Sequence, residues 1–152
     1  MSTHTAKINW EKGEQVFGDG KYSRKHLISF DGGISIAGSA NPEVVRPPLG
    51  AIDAADPEEL VCGAIGSCHM LYFLDFTRRA GFIVESYEDN PVAIMGKNEA
   101  GKTALTSITL HPNVKFIGDA PSHEQLHELH HKAHDYCIIA NSLACPVTIE
   151  GY

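Results

Sequence analysis

One long helix is predicted by residues 56–81, DPEELVCGAIGSCHMLYFLDFTRRAG. Asp56 is a favourable N-cap, Pro57 suits the first helical position, and Glu59 lies three residues after Asp56, as in a capping box. Two arginines near the other end suit the last turn, and Gly81 suits the position after the C-cap. The helix is therefore expected to begin at Pro57 and to span about 24 residues, or about 36 Å if straight.

The faces of this helix are apolar almost all the way round, with Cys68 near the middle. A helix of that kind is normally buried. In a chain of this size we expect a central helix that is covered by a sheet, or by a sheet and a second subunit.

The rest of the chain predicts strands on both sides of this helix and a second helix near the end. Ser122 and Gln125 have the spacing of a capping box and mark the start of the second helix. Strand patterns precede the first helix, a long hairpin separates the two helices, and a strand ends the chain. The predicted segments are strands within 6–10 and 25–39, a proline-rich loop at 40–55, a hairpin of 82–97 with 102–118, a helix over 123–143 and a strand over 145–152. This order indicates an α+β class and a single domain over residues 1–152.

Composition excludes some functions. The 152 residues carry a net charge of −7, so a nucleic-acid interface with its basic stripe is not expected, and an anionic membrane surface is disfavoured as a partner. The first residues lack the apolar core of a signal peptide, and no apolar run of 18 residues suggests a membrane span. We expect a cytoplasmic protein.

Four cysteines in such a chain are expected to be reduced, catalytic or metal-binding rather than structural disulfides. Cys62 and Cys68 are six residues apart, so they point about 120° away from each other on a helix. Cys137 is expected at the end of the second helix and Cys145 at the start of the last strand. If the two helices pack together, Cys68 and Cys137 could form a two-thiol redox site; otherwise all four cysteines are inert core residues.

A nucleophilic thiol needs a depressed pKa, and Cys68 is too far into its helix for the N-terminal dipole to supply it. A cation must come from elsewhere. Arg24 and Arg46, in or near loops before the helix, are the candidates, and Glu58 or Glu59 could orient the guanidinium.

The second helix carries a stripe of histidines at positions 123, 127, 130 and 134, with His131 beside it. Spacing of i, i+4 is a metal-ligand geometry, although the pattern is not H-E-x-x-H. Two interpretations stay open: a solvated polar face, or a site for a transition metal. The latter gives an alternative function, a non-enzymatic protein that binds a metal or a small ligand through this helix.

Residues 96–103, GKNEAGKT, match the spacing of a phosphate-binding P-loop. A P-loop must follow a buried strand and open a helix. Here the next residues alternate as a strand, so the segment is interpreted as a hairpin turn.

Two segments resemble a known family, the organic hydroperoxide resistance and osmotically inducible (OsmC/Ohr) family of thiol peroxidases. DPEELVCGAIGSCHM resembles the family segment in which a glutamate precedes the peroxidatic cysteine by ten residues; these match Glu58 and Cys68. AHDYCIIANS resembles the segment that holds the resolving cysteine, which matches Cys137. The order of strands and helices agrees over nearly the whole chain.

The resemblance implies an OsmC-like fold, an intertwined homodimer with long central helices wrapped by sheets. It also implies a mechanism in which the Cys68 thiolate attacks a hydroperoxide, and the resulting sulfenic acid condenses with Cys137. An external dithiol such as a lipoyl group then reduces the disulfide, and no bound cofactor is expected. An arginine held by Glu58 would activate the thiolate, with Arg24 preferred and Arg46 second.

Three departures from the family pattern indicate a divergent branch. His69 stands where the family has phenylalanine, and Ile138 where it has proline. A Cys-Pro pair occurs eight residues later, so Cys145 is an alternative resolving residue. These departures also allow a ligand-binding or stress protein that kept the fold and lost the chemistry.

The distance from Glu58 to Cys68 leads to one more expectation. Ten residues of straight helix separate two Cα atoms by about 15 Å. A tight relay from Glu58 through Arg24 to Cys68 therefore predicts a bend or break near Gly63 or Gly66, where glycine lowers helix propensity.

Overall fold

The computed structural model describes residues 1–152, which form two compact units, Met1–Leu60 and Val61–Tyr152. The predicted α+β class is confirmed. The single domain predicted for residues 1–152 stays a prediction. The elements are β1 (Ala6–Asn9), β2 (His26–Phe30), β3 (Ser35–Gly38), α1 (Pro57–Arg79), β4 (Ile83–Glu88), β5 (Val92–Lys97), β6 (Thr103–Leu110), β7 (Asn113–Ile117), α2 (His123–Tyr136), a 3-10 turn (Ala140–Ser142) and β8 (Val147–Ile149).

The first unit contains a three-stranded antiparallel sheet in the order β1-β2-β3. Gly33 has a φ of 82° in the turn between β2 and β3, a conformation that favours glycine, as the predicted Asp-Gly-Gly turn requires. Between β1 and β2, the rings of Trp10, Phe17 and Tyr22 pack together, with the Phe17 and Tyr22 centroids 4.6 Å apart. This aromatic cluster orders a segment that has no regular secondary structure.

Helix α1 begins with the predicted capping box. The Asp56 carboxylate accepts the Glu59 backbone N–H at 2.7 Å, and the Glu59 carboxylate accepts the Asp56 N–H at 3.0 Å. Of the bend or break expected at Gly63 or Gly66, the break is wrong, because one helix runs from Pro57 to Arg79, and the bend stays a prediction. Gly66 serves close packing instead: a Cβ there would lie 2.9 Å from Cγ of Pro91. An unbroken helix counts against a tight relay between the two ends of this segment.

One side of α1 is exposed in the single chain, and the expected cover by a second subunit stays a prediction. The exposed residues along it are Gly63, Ala64, Ser67 and Leu71, and Leu71 is 61% exposed. By length and composition alone α1 could cross a membrane, with a window of mean hydropathy 1.3. A single helix of this kind is weak support for a membrane span, since core helices pass the same test.

The second unit contains the predicted long hairpin in nested form. β5 and β6 pair around a turn at residues 98–102, and β4 pairs with β7 outside them. The segment that matches a P-loop in spacing is this turn, as predicted. β8 adds to β6 in parallel, and the Pro146 carbonyl accepts the Ile108 N–H just before β8 begins. Cys145 therefore precedes the strand that it was expected to start.

Helix α2 has the predicted capping box of Ser122 and Gln125. It ends at Tyr136, earlier than the expected 143, because Cys137 leaves the helical conformation (φ −64°, ψ 108°) and the chain resumes as a short 3-10 turn. The core of this unit has two clusters. The first contains Ile65, Ile108, Leu110 and Cys137; the second contains Phe73, Phe76, Leu129 and Ala133.

Candidate functional site

The thiols of Cys68 and Cys137 meet in the first core cluster. Cys68 lies on α1 and is partly exposed, whereas Cys137, at the C-cap of α2, is 1% exposed. The two side chains are close enough for Cys68 to influence the pKa of Cys137. Both cysteines are reduced. Two neighbouring thiols, one reachable from solvent and one sheltered, are the groups that a dithiol–disulfide couple requires.

The surroundings of Cys137 keep its thiol protonated. Burial raises the pKa of Cys137 to about 11, and the neighbouring Cys68 thiol acts in the same direction. The backbone N–H of Ala140, 3.4 Å from the Cys137 sulfur, acts in the opposite direction because it stabilises a thiolate. The site thus holds a neutral thiol with an N–H donor already aimed at its sulfur.

The other two cysteines occupy different positions. Cys145 is partly buried and packs against the same apolar cluster as Cys68. Cys62 lies on another side of α1, where it lines a cavity of about 250 Å³ together with Tyr87 and Asp89. The Asp89 carboxylate accepts the His111 N–H at 2.7 Å, and burial raises the pKa of this carboxyl group.

The side chains expected to activate the thiolate lie in the first unit. The Arg24 guanidinium donates hydrogen bonds to the carbonyls of Gly20 and Tyr22 and lies over the Tyr22 ring, 4.0 Å from its centroid. Glu58 is partly exposed and forms no ion pair with Arg24. Arg46 is exposed. The catalytic roles assigned to Arg24 and Glu58 stay predictions.

A buried pair of histidines joins α1 to α2. His69 Nε2 and His130 Nδ1 are 3.1 Å apart, the two rings are nearly parallel at 3°, and both side chains are fully buried. The interpretation of the histidine stripe as a solvated face is therefore wrong at His130, which turns into the core. His134 is partly buried, while His127 is exposed.

The metal-binding interpretation of the stripe receives no support from the geometry. No group of three or more histidine, cysteine, aspartate or glutamate side chains is arranged to hold a metal ion. His69 and His130 bond to each other instead, and burial lowers the pKa of His69 to about 4 and that of His130 to about 3. Neighbouring histidines also lower these two pKa values. His134 lowers the pKa of His69, while His69 and, to a smaller extent, His127 lower the pKa of His130.

The sequence did contain a signal for the burial of His130. Apolar residues recur along α2 at positions 126, 129, 133 and 137, with the three- and four-residue spacing of a buried face. Position 130 lies beside 126, 133 and 137 on that face. The expectation of a solvated face rested on the histidine spacing and did not include this apolar pattern.

Comparisons with known proteins agree with this architecture. The sequence profile of the OsmC-like protein family matches residues 50–150. An OsmC-like protein of unknown function from Vibrio cholerae is 45% identical, with a TM-score of 0.97 and complete coverage of both chains. No curated protein is significantly similar in sequence.

More distant structures share the fold. The organic hydroperoxide resistance protein of Elizabethkingia anophelis is 19% identical with a TM-score of 0.71, over 100% of this chain and 98% of the other. OhrB of Bacillus subtilis, also an organic hydroperoxide resistance protein, is 17% identical with a TM-score of 0.72, over 99% and 98%. The profile match and the Vibrio structure together show that the chain belongs to the OsmC-like family.

Proposed function

We propose that this protein is a thiol-dependent peroxidase that reduces organic hydroperoxides or hydrogen peroxide in the cytoplasm. The observation that carries the proposal is the contact between a partly exposed thiol, Cys68, and a buried one, Cys137. Two relatives in fold are named as organic hydroperoxide resistance proteins, which supports a peroxide as the substrate class.

The chemistry balances with these two residues and one peroxide. The Cys68 thiolate attacks one peroxide oxygen, the O–O bond breaks, and the leaving oxygen takes a proton to become an alcohol or water. The Cys137 sulfur then attacks the sulfenic acid on Cys68 and expels water as the disulfide forms. The N–H of Ala140 would stabilise Cys137 as it loses its proton.

Turnover requires an external reductant, because disulfide formation consumes both thiols. A dithiol such as a lipoyl group returns two electrons and two protons by thiol–disulfide exchange, so the protein needs no bound cofactor.

We propose Arg24 as the cation that activates Cys68, with Arg46 as the second candidate and Glu58 as the carboxylate that holds the arginine. The apolar residues around Cys68 suit the hydrocarbon part of an organic peroxide.

The test compares two cysteine variants of the same helix. Cys68→Ser should abolish dithiol-dependent peroxide consumption, while Cys62→Ser, the matched control, should retain it. Peptide mass mapping after one equivalent of peroxide should find a disulfide between Cys68 and Cys137. Full activity in Cys68→Ser would refute the proposal, and a disulfide to Cys145 would move the resolving role there.

We also propose that the exposed stripe of α1 packs against a second copy of this chain. Ala64, Ser67 and Leu71 follow the alternating three- and four-residue spacing of a helix–helix seam, and small residues allow close approach. Leu71→Glu should convert a dimer into a monomer in light scattering, whereas Arg79→Glu, an exposed change in the last turn of α1, should not. A wild-type protein that is monomeric at micromolar concentration would contradict the dimer.

A further inference from the structure

The buried histidine pair takes no part in the proposed peroxidase chemistry, and it belongs to no group arranged to hold a metal ion. We propose that the hydrogen-bonded pair of His69 and His130 is an acid-sensitive latch between α1 and α2, which loosens the contact of Cys68 with Cys137 when the pH falls below neutral. The inference does not depend on peroxidase activity, since it concerns only how the two helices are held together.

The bond itself requires that at least one ring stays neutral, and the buried site opposes a charge on either ring. In the 3.1 Å contact between His69 Nε2 and His130 Nδ1, one nitrogen must donate a proton and the other must accept with a lone pair. If both rings become imidazolium ions, every nitrogen is a donor, so the bond is lost and two positive charges face each other. The remaining nitrogens, His69 Nδ1 and His130 Nε2, are buried without a hydrogen-bond partner.

The surroundings offer no anion to compensate a charge on either ring. Phe73 stacks on His130 with centroids 4.1 Å apart, and the ring of Tyr152, at the chain end, lies 4.5 Å away. The side chains whose charge acts on the pair from outside it are His134 and His127 on α2, which are cations when protonated. Cys68, next to His69 on α1, is not among them. Neither ring of the pair bonds to a carboxylate. A proton taken up here would be a buried, uncompensated charge, which is costly.

Protonation is therefore coupled to opening of the helix contact. The lowered pKa of both histidines means that they stay neutral while the contact is closed and take up protons readily only once it opens. One proton per opening event makes the open state about tenfold more populated for each pH unit below the ordinary histidine pKa.

Opening of this contact bears directly on the two thiols. His69 follows Cys68 in α1, and His130 precedes Cys137 by two turns on the same face of α2. The residues that fasten the helices thus lie beside those that must meet to form a disulfide. Loss of the latch would expose Cys137, which is 1% exposed in the closed state.

The accessibility of Cys137 provides the test. 4,4′-Dithiodipyridine labels thiols even in mild acid, and peptide mass mapping gives the rate at Cys137. Dividing by the rate in the urea-unfolded protein at the same pH removes the intrinsic effect of pH on the thiol. Protection of Cys137 should fall about tenfold or more per pH unit between pH 6 and 4.5.

The decisive variant keeps the bonding atoms but cannot titrate. In His69→Gln with His130→Asn, amide groups replace Nε2 and Nδ1, and protection should change by no more than about threefold over the same range. His123→Gln, an exposed histidine of α2, is the control and should follow the wild type. Flat protection in the wild type, or an equally steep fall in the double variant, would overturn the latch.

A second measurement covers the case in which the double variant does not fold. Ring ¹⁵N chemical shifts of the wild type should show His69 and His130 neutral at pH 5.5 while Cys137 is still protected. If either ring titrates near the ordinary histidine pKa of about 6.5 with Cys137 protected throughout, the latch is wrong.

Discussion

The side chain of Arg24 is held by an aromatic ring and two carbonyls, with no carboxylate among its partners. Its guanidinium stacks on Tyr22, which in turn packs against Phe17 and Trp10. Both carbonyls are bonded through Nη1, and stacking on the ring uses the face of the guanidinium, so Nη2 and Nε are left to donate to an anion. This arrangement suits an arginine that meets a thiolate or a peroxide oxygen.

Arg24→Ala should therefore slow the reaction of Cys68 with peroxide at pH 7 by about tenfold or more, which corresponds to at least ~1.4 kcal/mol of lost stabilisation. Arg46→Ala is the matched control and should stay within about twofold of the wild type, since a surface arginine without partners contributes little. Stopped-flow measurement of sulfenic acid formation checks both. An equal effect of the two variants would remove Arg24 from its proposed role.

Individual contacts were only partly predictable from sequence. The proximity of Cys68 and Cys137 was expected only on the condition that the two helices pack together, and the sequence left inert core cysteines open as well. The partner of His69 did not follow, since the histidine stripe offers several candidates and only the packed structure selects His130. The choice between Glu58 and Glu59 also needed the structure. The Glu59 carboxylate accepts the Asp56 N–H in the helix cap, so Glu58 is the glutamate left to bind an arginine.

At the scale of elements, helix starts were predictable because they depend on local chemistry. Both capping boxes have their expected residues and geometry. The continuity of α1 through its interior was not predictable. The low helix propensity of Gly63 and Gly66 is outweighed by the packing of the helix, in which Gly66 lies against Pro91. The early end of α2 was also missed, since the three residues after Cys137 carry no proline or glycine to mark it.

The cap of α1 can be tested by removing its acceptor. Asp56→Ala should lower the free energy of unfolding by about 1 kcal/mol, because the buried Asp56 carboxylate accepts the Glu59 N–H. Ser122→Ala, at the cap of α2, removes the equivalent bond to Gln125 and should cost a similar amount. Urea unfolding measures both. No loss in either variant would mean that solvent replaces these caps without cost.

At the scale of the whole molecule, the stability of the protein should depend on pH through its two buried histidines. Both are neutral in the folded state, with pKa values lowered to about 4 for His69 and about 3 for His130, whereas an unfolded histidine titrates near 6.5. Above that value the folded and unfolded states bind equal numbers of protons at these sites. Below it the unfolded state binds more, so the stability contributed by burial is lost as the pH falls.

The free energy of unfolding should accordingly fall between pH 6.5 and 5 by up to ~1.4 kcal/mol per pH unit for each of the two histidines. Asp53 and Asp75 do not add to this slope, because their hydrogen bonds to Lys25 and Arg78 lower their pKa values. Burial raises the pKa of Asp89, so this carboxyl group acts in the opposite direction as the pH falls, and the two histidines are identified by the variants below. Urea unfolding at several pH values should give a shallower slope for His69→Gln with His130→Asn, and an almost unchanged slope for His123→Gln. A wild-type stability that is constant down to pH 5 would mean that these rings gain their protons without opening the core, against the burial that sets their pKa.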